Sequence, residues 1–320
     1  MRYELESVPN DYISSLELID ELDQLVVTSW NGSLNIYKIN YQDKNCRLVQ
    51  TVTASAPILS SCYLRIDSSY YLYIGTIDGE VFKVDLDNGV LESTKNQIAR
   101  NGISGLCRYG SKLIAGSWDG YLQLINPSTN TVDMSTQLPT KCFSMSINNN
   151  ILLVASTQCK VLELTLPLVQ DAQCKIVDSG QVFQIRDIVI TPEGDGFVCT
   201  GIDGRVSVEF FNQVTERFAF RCHKYNLEDT VMAYPVNAIK FIPNTDTFFT
   251  GGSDGCVSAW HLKKKTKTRQ LDKFNENSVV KLACNSKVLC VATSDDSFKT
   301  NAVIDENIEL EPSRVYLEFL

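Results

Sequence analysis

Three arginines in the central part of the chain stand where a side chain could bind an anion. Arg205 directly follows an Asp-Gly turn in "GIDGRVSVEFF", Arg221 lies in "RFAFRCHK", and Arg186 lies in "FQIRDIVI". The planar guanidinium fork binds two oxygens of a phosphate or carboxylate at once. Because a phosphate adds about −1.5 to −2 charges, two flanking arginines can distinguish a phosphorylated side chain from the plain hydroxyl. The three residues therefore predict a site for an acidic or phosphorylated peptide.

The alternative for each arginine is an ordinary surface ion pair, which contributes about 0 to 1 kcal/mol. Arg186, for example, has Asp187 beside it in the sequence. The net charge of the chain is −9, so general binding to nucleic acid or to anionic membranes is not expected. An anionic partner would need a local basic patch. The two candidates are "RFAFRCHK" together with Arg205, and "KKKTKTR".

The composition otherwise predicts a soluble intracellular protein that is not an enzyme. No apolar run reaches the roughly 18 residues that cross a bilayer, and the start "MRYELESVPN" lacks a secretory signal. The eleven cysteines occur singly, and only two histidines accompany them. We therefore expect reduced thiols and no metal or other cofactor. The motifs of the nucleophile elbow, the phosphate-binding loop and the zinc proteases are all missing from the sequence.

The chain repeats one pattern seven times: a short apolar run, a turn of the Thr/Ser-x-Asp-Gly type, and an alternating strand. The turns lie on average 44 residues apart, at Asn31, Asp78, Asp119, Gln158, Asp203, Asp254 and Asp295. An Asn/Asp-Gly pair supplies the positive φ of a tight hairpin, so each repeat contains two antiparallel strands, b and c. The period is typical of WD40 propellers, with four strands per blade. The fourth and seventh turns, "TQCK" and "SDDS", lack glycine and are expected to be distorted or longer.

These features predict an all-β fold: a single domain over residues 1–320 that forms a seven-bladed WD40 β-propeller with four antiparallel strands per blade. Runs such as "ISGLCRYG" and "VNAIKFIP" are the expected inner strands a. One or both ends of the chain, "RYELESV" and "SRVYLEFL", are expected to complete the last blade, because closure removes the exposed edges of an open array. An unrelated two-sheet β protein is the alternative.

The propeller geometry decides which face carries each candidate residue. The b–c turns share one face with the connections from strand d to the next strand a, and we name this face the top. Arg186 at the start of strand a, Arg205 at the start of strand c and Arg221 at the end of strand d then all lie at the top of the fifth blade. Trp30 and Trp118 precede b–c turns and reach the same face, where tryptophan suits a binding site. Each could instead pack beneath its own turn.

Two further features are expected away from that face. Trp260 ends a strand c and should belong to the core. The basic run from Lys263 to Arg269 follows the same strand and is expected to form a solvated turn at the bottom. It is only a weak match to a nuclear localisation or nucleic-acid patch.

Beyond the repeat, several stretches resemble one known family. They read "TSWNGSL", "SWDGYL", "FQIRDIVITP", "GIDGRVSVEFF", "RFAFRCHKYNL" and "YPVNAIKF". They look like the WD40 spindle-assembly-checkpoint adaptor of the budding-uninhibited-by-benzimidazoles family, especially its yeast members. The resemblance extends over nearly the whole chain.

The resemblance implies a non-catalytic adaptor that recruits checkpoint proteins to unattached kinetochores, located in the nucleus and, in mitosis, at the kinetochore. Its implied partners are the checkpoint kinase and a kinase-free relative, bound through GLEBS motifs, and phosphorylated Met-Glu-Leu-Thr repeats of the kinetochore scaffold. By matching motif, Arg205 and Arg221 would bind the phosphothreonine. Arg186, Trp30 and Trp118 would bind the GLEBS peptide. The propeller is expected to be monomeric, with no direct nucleic-acid or membrane partner.

Two alternatives stay open at this point. One is the sister WD40 protein of messenger-RNA export, which takes a GLEBS motif of a nuclear-pore protein and would be expected to be more basic than this chain. The other is a generic WD40 scaffold of a different complex.

Overall fold

The computed structural model describes residues 1–212, 216–299 and 310–320. Within these residues the chain forms seven four-stranded antiparallel sheets and one two-stranded hairpin. The sheets follow one another along the chain as the blades of a propeller, and the inner strands of successive blades contact each other. The predicted seven-bladed all-β fold is confirmed.

The first short strand, β1 (Arg2–Glu4), belongs to the last blade. The next twelve strands form blades one to three, each in the order a, b, c, d. Blade one consists of β2 (Ile13–Ile19), β3 (Gln24–Ser29), β4 (Ser33–Asn40) and β5 (Asn45–Thr53). Blade two consists of β6 (Ile58–Ile66), β7 (Ser69–Thr76), β8 (Val81–Val84) and β9 (Leu91–Ser93). Blade three consists of β10 (Ile103–Tyr109), β11 (Lys112–Ser117), β12 (Tyr121–Asn126) and β13 (Thr131–Gln137).

Blades four to six repeat this order, with a hairpin inserted before the sixth. Blade four consists of β14 (Ser144–Asn148), β15 (Ile151–Ala155), β16 (Lys160–Thr165) and β17 (Lys175–Asp178). Blade five consists of β18 (Ile185–Ile190), β19 (Gly196–Gly201), β20 (Arg205–Phe210) and β21 (Phe218–Arg221). The hairpin consists of β22 (Lys224–Asn226) and β23 (Val231–Ala233). Blade six consists of β24 (Val236–Phe241), β25 (Thr247–Gly252), β26 (Val257–His261) and β27 (Thr266–Gln270).

Both ends of the chain complete the seventh blade. Its inner strands are β28 (Ser278–Cys284) and β29 (Val288–Ser294), and its third strand is β30 (Arg314–Phe319). Strand β1 pairs with β30 as the outermost strand, with Tyr3 opposite Leu317. The prediction of closure by terminal strands is therefore confirmed, because the edge of β30 is covered by the N-terminal strand.

The two turns without glycine differ from the others, as predicted. In the fourth blade a single 3-10 turn (Thr157–Cys159) joins strands b and c, with Gln158 at φ 57°. In the seventh blade a 3-10 turn (Ser297–Lys299) follows strand b. The expectation that strand c directly follows "SDDS" is wrong, since strand c is β30, after a long connection. Residues 300–302 of that repeat lie outside the described residues.

Neighbouring blades pack against both faces of each sheet. Val206 and Val208 of β20 share a buried cluster with Val236 and Ile239 of blade six. Ser207, between the two valines, is also buried and donates a hydrogen bond of 2.5 Å to the carbonyl of Ser179, just after blade four. Alternate residues of strand c therefore face two different blades, which leaves only the strand ends free for function.

All eleven cysteines are free thiols, and seven of them are buried. Burial raises the pKa of Cys199 and Cys290 well above the ordinary thiol value, so both are unreactive in the fold. In the described part of the chain, no helix is long and apolar enough to cross a membrane.

Candidate functional site

Arg205 and Arg221 lie directly opposite each other across strands β20 and β21. Side chains at opposite positions of an antiparallel pair project from the same face, with Cβ atoms about 4.5–5.5 Å apart. The turn before Arg205 requires glycine, because Gly204 has φ +75° and an added Cβ would lie 2.8 Å from the carbonyl oxygen of Cys222. The Gly204 carbonyl accepts a hydrogen bond of 2.9 Å from the Cys222 amide. The turn thus places both guanidinium groups at the top of blade five.

Each of these arginines interacts with one neighbouring group, and these interactions leave the arginine pair with a net positive charge. Arg205 is half-buried, and its Nε donates a hydrogen bond of 2.8 Å to the carbonyl of Gly180. Arg221 is 58% exposed, and its Nη2 lies 3.1 Å from Oδ2 of Asp203. Of the two, only Arg221 has an ion pair among the described residues, although the half-buried Glu209 also attracts Arg205. Two like charges directly opposite repel each other. An anion with several acceptor oxygens would relieve this repulsion.

Arg186 occupies a β-bulge at the start of β18. The register passes from Ile185 opposite Gly201 to Asp187 opposite Thr200, so that Arg186 is the unpaired extra residue. A bulge redirects its side chain relative to the regular alternation. The exposed side chain of Arg186 lines a top-face cavity of about 330 Å³.

Asp187 does not serve as the partner of Arg186. The hydroxyl of Ser144 donates to Oδ1 of Asp187 at 2.7 Å, and the amide of Ile239 donates to Oδ2 at 3.2 Å. The carboxylate of Asp187 therefore ties blades four and six to blade five. Among the described residues, Arg186 has no ion pair within 4.0 Å.

Trp30 and Trp118 line the same cavity as Arg186. The ring of Trp30 packs edge-on against Tyr12, with centroids 5.6 Å apart, and it lies 6.2 Å from Phe298. The ring of Trp118 packs over Gly102, where an added Cβ would come within 2.7 Å of it. Both tryptophans are half-buried. Each one packs against its neighbours and also presents a face to the cavity.

Two lysines that were not predicted from the sequence also line this cavity, Lys281 and Lys299. Lys299 donates a hydrogen bond of 2.7 Å to the hydroxyl of Tyr12. Burial, together with the positive charges of Arg186 and Lys281, lowers the pKa of Lys299 to about 8 against the opposing effect of Asp296. Burial likewise lowers the pKa of Lys281. The cavity therefore holds three cations, and we name it the cationic top pocket.

The bulge of strand a gives Lys281 its place in the structure. Six of the seven strands a carry a bulge at the same place, between Val279 and Lys281 in blade seven and between Ile185 and Asp187 in blade five. Lys281 lies one position beyond the bulge, next to the ring of residues that lines the pocket. Strict alternation in the sequence signals neither this bulge nor Lys299, which follows the irregular seventh turn.

The five predicted residues thus fall into two groups on the same face. Arg205 and Arg221 form a pair near the outer rim, whereas Arg186, Trp30 and Trp118 lie together in the cationic top pocket. Strand β18, which carries Arg186, is separated from β20 by one strand, a distance of about 10 Å. The three arginines share one blade, but they do not meet at one point.

Trp260 and the basic run lie elsewhere. The prediction of a turn holds only for Lys263 to Lys265, because the rest of the run, to Arg269, belongs to strand β27. Trp260 packs on Phe220 with centroids 4.3 Å apart, and its Nε1 donates to the hydroxyl of Thr250 at 3.0 Å. Lys263 lies 2.5 Å from Glu193 and Lys265 lies 3.2 Å from Glu216, both on the bottom side. These lysines are already paired with acids, which leaves them poorly suited to bind a nucleic acid.

His223 differs from its expected place in a basic surface patch. It is 6% exposed, with Nδ1 2.8 Å from Oδ1 of Asp254 and Nε2 2.9 Å from the hydroxyl of Thr250. Burial is the largest single effect and lowers the pKa of His223, but the hydrogen bonds and charges of Asp254 and Cys222 together outweigh it and raise the pKa to about 9. The chain Asp254, His223, Thr250, Trp260 ties the connection after blade five to the sheet of blade six.

No group of three or more potential metal ligands occurs in residues 1–212, 216–299 and 310–320. The family model "WD domain, G-beta repeat" matches residues 225–261, which include most of blade six. The chain also superposes on the solved structure of U3-55K with a TM-score of 0.80 at 14% identity, covering 100% of this chain and 98% of the other. The fold and the family match define a WD40-repeat β-propeller.

Among curated proteins, the chain is 28% identical to the spindle assembly checkpoint protein bub3 of Schizosaccharomyces pombe, over 85% of this chain and 84% of the relative. It is 27% identical to the mitotic checkpoint protein bub-3 of Caenorhabditis elegans, over 84% and 80%. The poly(A)+ RNA export protein of S. pombe is 25% identical, over 80% and 73%. Within the WD40 class these relatives support the Bub3 family, so the resemblance predicted from the sequence is confirmed. In keeping with these relatives, the chain is a non-catalytic protein.

Proposed function

We propose that this protein is an adaptor of the spindle assembly checkpoint that binds phosphothreonine with Arg205 and Arg221. The observation that carries the proposal is the cross-strand position of the two arginines. A phosphothreonine brings three acceptor oxygens, enough for two guanidinium forks. Phosphorylated Met-Glu-Leu-Thr repeats of a kinetochore scaffold are the proposed ligand, in line with the similarity to checkpoint proteins.

The cationic top pocket is the proposed site for a GLEBS segment of the checkpoint kinase and of its kinase-free relative. Trp30 and Trp118 offer flat apolar contact area, which is the usual composition of a binding hot spot. Arg186 would pair with an acidic residue of that segment. The presence of three cations in the pocket supports an acidic peptide there.

The two sites together give a recruitment mechanism without catalysis. A GLEBS segment would carry the kinase, and the arginine pair would attach the complex to a phosphorylated scaffold. Several weak repeats on one scaffold raise the effective concentration and therefore the avidity. Phosphorylation of the scaffold would then move the protein from the nucleus at large to the kinetochore in mitosis.

Fluorescence anisotropy tests this proposal directly. A Met-Glu-Leu-phosphothreonine peptide and its unphosphorylated twin are titrated with the protein, alone and with a GLEBS peptide bound. We expect binding that requires the phosphate and is lost in Arg205→Glu and in Arg221→Glu. Lys265→Glu, which changes a lysine on the bottom side, is the charge-matched control. Equal binding of both peptides would contradict the proposal.

The second candidate function is messenger-RNA export, because an export protein is nearly as similar to this chain as the checkpoint proteins. An export factor would bind a GLEBS peptide of a nuclear-pore protein through the same pocket. An export factor would not need a pair of arginines that binds phosphothreonine. Binding of GLEBS peptides without any phosphate-dependent binding would favour this candidate or a generic WD40 scaffold.

A further inference from the structure

A groove of about 810 Å³ opens on the bottom face of the propeller, between blades one and two. Blade one contributes Leu22 and Gln24, at the turn from strand a to strand b. Blade two contributes the start of β7 and the turn between β8 and β9. These turns lie at the opposite ends of the strands from the b–c turns. The groove, which we name the bottom groove, therefore faces away from the arginine pair and from the cationic top pocket.

The floor of the bottom groove is apolar and fixed in place. Leu22, Tyr70 and Leu86 line the groove and pack against the buried core that blades one and two share. The ring of Tyr70 stacks on the ring of Tyr63, with centroids 6.0 Å apart and planes inclined by 19°. The groove therefore offers a ligand side chain an apolar surface whose shape is set by the core beneath it.

The two tyrosine rings of the groove already attract cations of this chain. Nζ of Lys83 lies 4.6 Å from the ring centroid of Tyr71, and Cζ of Arg65 lies 5.6 Å from that of Tyr70. The face of an aromatic ring carries partial negative charge and attracts an ammonium or guanidinium group within about 6 Å. Both tyrosines are half-buried, so part of each ring stays open to the groove. The rings are therefore suited to a positively charged ligand.

Carboxylates dominate the rim of the bottom groove. Asp85, Asp87 and Glu92 line it and are exposed, whereas Lys83 is the single cation in the lining. Hydrogen bonds from Asn88 and from the amide of Asp87 lower the pKa of Asp85, so this carboxylate is ionised at neutral pH. In the part of the chain that the structure describes, none of the three acids forms an ion pair within 4.0 Å. The rim therefore carries a net negative charge.

The groove also holds a hydrogen-bond acceptor without a donor. Gln24 is half-buried, and its Oε1 is buried and accepts no hydrogen bond from any described residue. A buried acceptor without a donor is unfavourable, and the terminal amide of glutamine rotates easily. An ammonium or guanidinium group in the groove would supply the missing donor.

We propose that the bottom groove binds a basic peptide segment of a partner protein. The stem of a lysine or arginine would lie on Leu22, Tyr70 and Leu86, because long cationic side chains bury their methylene groups on apolar surface. Its charged end would reach the carboxylates of the rim. A negatively charged rim repels nucleic acid and anionic lipid, so the occupant is a protein segment. This inference does not depend on the proposed function, and it leaves both sites of the top face free.

Fluorescence anisotropy at low ionic strength tests the proposal. The probe is a labelled peptide in which arginine and lysine alternate with alanine, and its uncharged twin contains citrulline and acetyl-lysine instead. We expect Asp87→Asn/Glu92→Gln to bind the basic peptide about fivefold more weakly, because two exposed ion pairs are lost. Lys83→Gln should bind it about threefold more tightly, since the competing cation is removed. Such a gain cannot result from unfolding.

Matched controls change the same charges outside the groove. Asp43→Asn/Asp67→Asn neutralises two exposed acids in bottom turns of blades one and two that do not line the groove, and it should leave binding unchanged. Lys44→Gln, in a bottom turn of blade one, is the control for Lys83→Gln. Thermal unfolding of each variant reports whether the propeller is intact.

The results that would overturn the inference are specific. Equal losses in the two double variants, or equal gains in the two lysine variants, would mean that the net charge of the protein attracts the peptide. Equal binding of the charged and uncharged peptides, or no binding of either, would also overturn it. A change of oligomeric state in the groove variants, seen by light scattering, would assign the groove to a second copy of this chain instead. Phosphopeptide titrations of the same variants test the proposed function separately.

Discussion

Arg205 and Arg221 face each other across two paired strands, and the carboxylate of Asp203 lies 3.1 Å from Arg221. A phosphate that binds the pair must compete with this carboxylate for the guanidinium group of Arg221. The carboxylate of Asp203 therefore has two opposing effects. It reduces the repulsion between the two arginines in the free protein, and it weakens their attraction for an anion.

Asp203→Asn should therefore strengthen phosphopeptide binding. An exposed ion pair contributes up to about 1 kcal/mol, so its removal should tighten binding by up to about fivefold. Anisotropy titrations at two salt concentrations measure this change. Asp178→Asn, on the neighbouring blade four, serves as the control for a simple gain of positive charge. Weaker binding in Asp203→Asn would show instead that the carboxylate positions Arg221.

Gly102 should control the cationic top pocket through Trp118. Gly102→Ala places a Cβ within 2.7 Å of the Trp118 ring and 2.5 Å of Leu59. The ring must move, and we expect GLEBS peptide binding to weaken by about tenfold, as for a displaced hot-spot side chain. In a Trp118→Ala background the same change should have little further effect, as measured by calorimetry. Equal losses of affinity in both backgrounds would mean that Gly102→Ala does not act through Trp118.

Binding of an acidic peptide to the cationic top pocket should weaken as the pH rises from 7 to 9. The pKa of Lys299 in the free protein is lowered to about 8 by burial, with Arg186 and Lys281 acting in the same direction, Asp296 opposing them and Tyr12 in contact. Above pH 8 the lysine has lost its proton, and an acidic ligand must restore it. GLEBS affinity measured across this range should fall for the natural protein and stay nearly level for Lys299→Arg, because arginine keeps its charge. Parallel pH profiles for the two proteins would exclude Lys299 from the site.

The His223 network should make the fold less stable in alkaline solution. Its pKa is raised to about 9 in the fold, against about 6.5 in an unfolded chain. The contribution is therefore complete below pH 6.5 and is lost as the pH rises through 9, on the order of 3 kcal/mol in total. Urea unfolding at pH 6, 7, 8 and 9.5 measures the free energy of unfolding. His223→Gln should abolish most of this slope, whereas Trp260→Phe should keep it and lose about 1 kcal/mol at every pH.

The sequence allowed the blades to be counted because an Asp-Gly turn needs positive φ, as at Gly204, and few other residues supply it. It also allowed the arginine pair to be predicted, because Arg205 and Arg221 stand at fixed ends of strands that must pair. The seventh turn did not predict the third strand of its blade, because that strand comes from the end of the chain, where "SRVYLEFL" was expected to complete the blade. The residue types of a tight turn indicate its position in the sequence, whereas a long connection has no comparable pattern.

Side-chain direction and burial were harder to predict than strand order. The bulge at Arg186 redirects its side chain, and nothing in strict alternation signals a bulge. His223 looked like part of a basic patch because its partner Asp254 lies a whole blade away in the sequence. The hairpin after His223 could not be predicted, because strands of three residues are too short to show a periodic pattern.

The last blade takes its third strand from the end of the chain and its outermost strand from the beginning. During synthesis the strand Arg2–Glu4 therefore stays without its partner until Arg314–Phe319 has been made. A chain that stops before Arg314 leaves the edge of Val288–Ser294 exposed, and its ring stays open. Closure of the ring thus depends on two strands from opposite parts of the sequence.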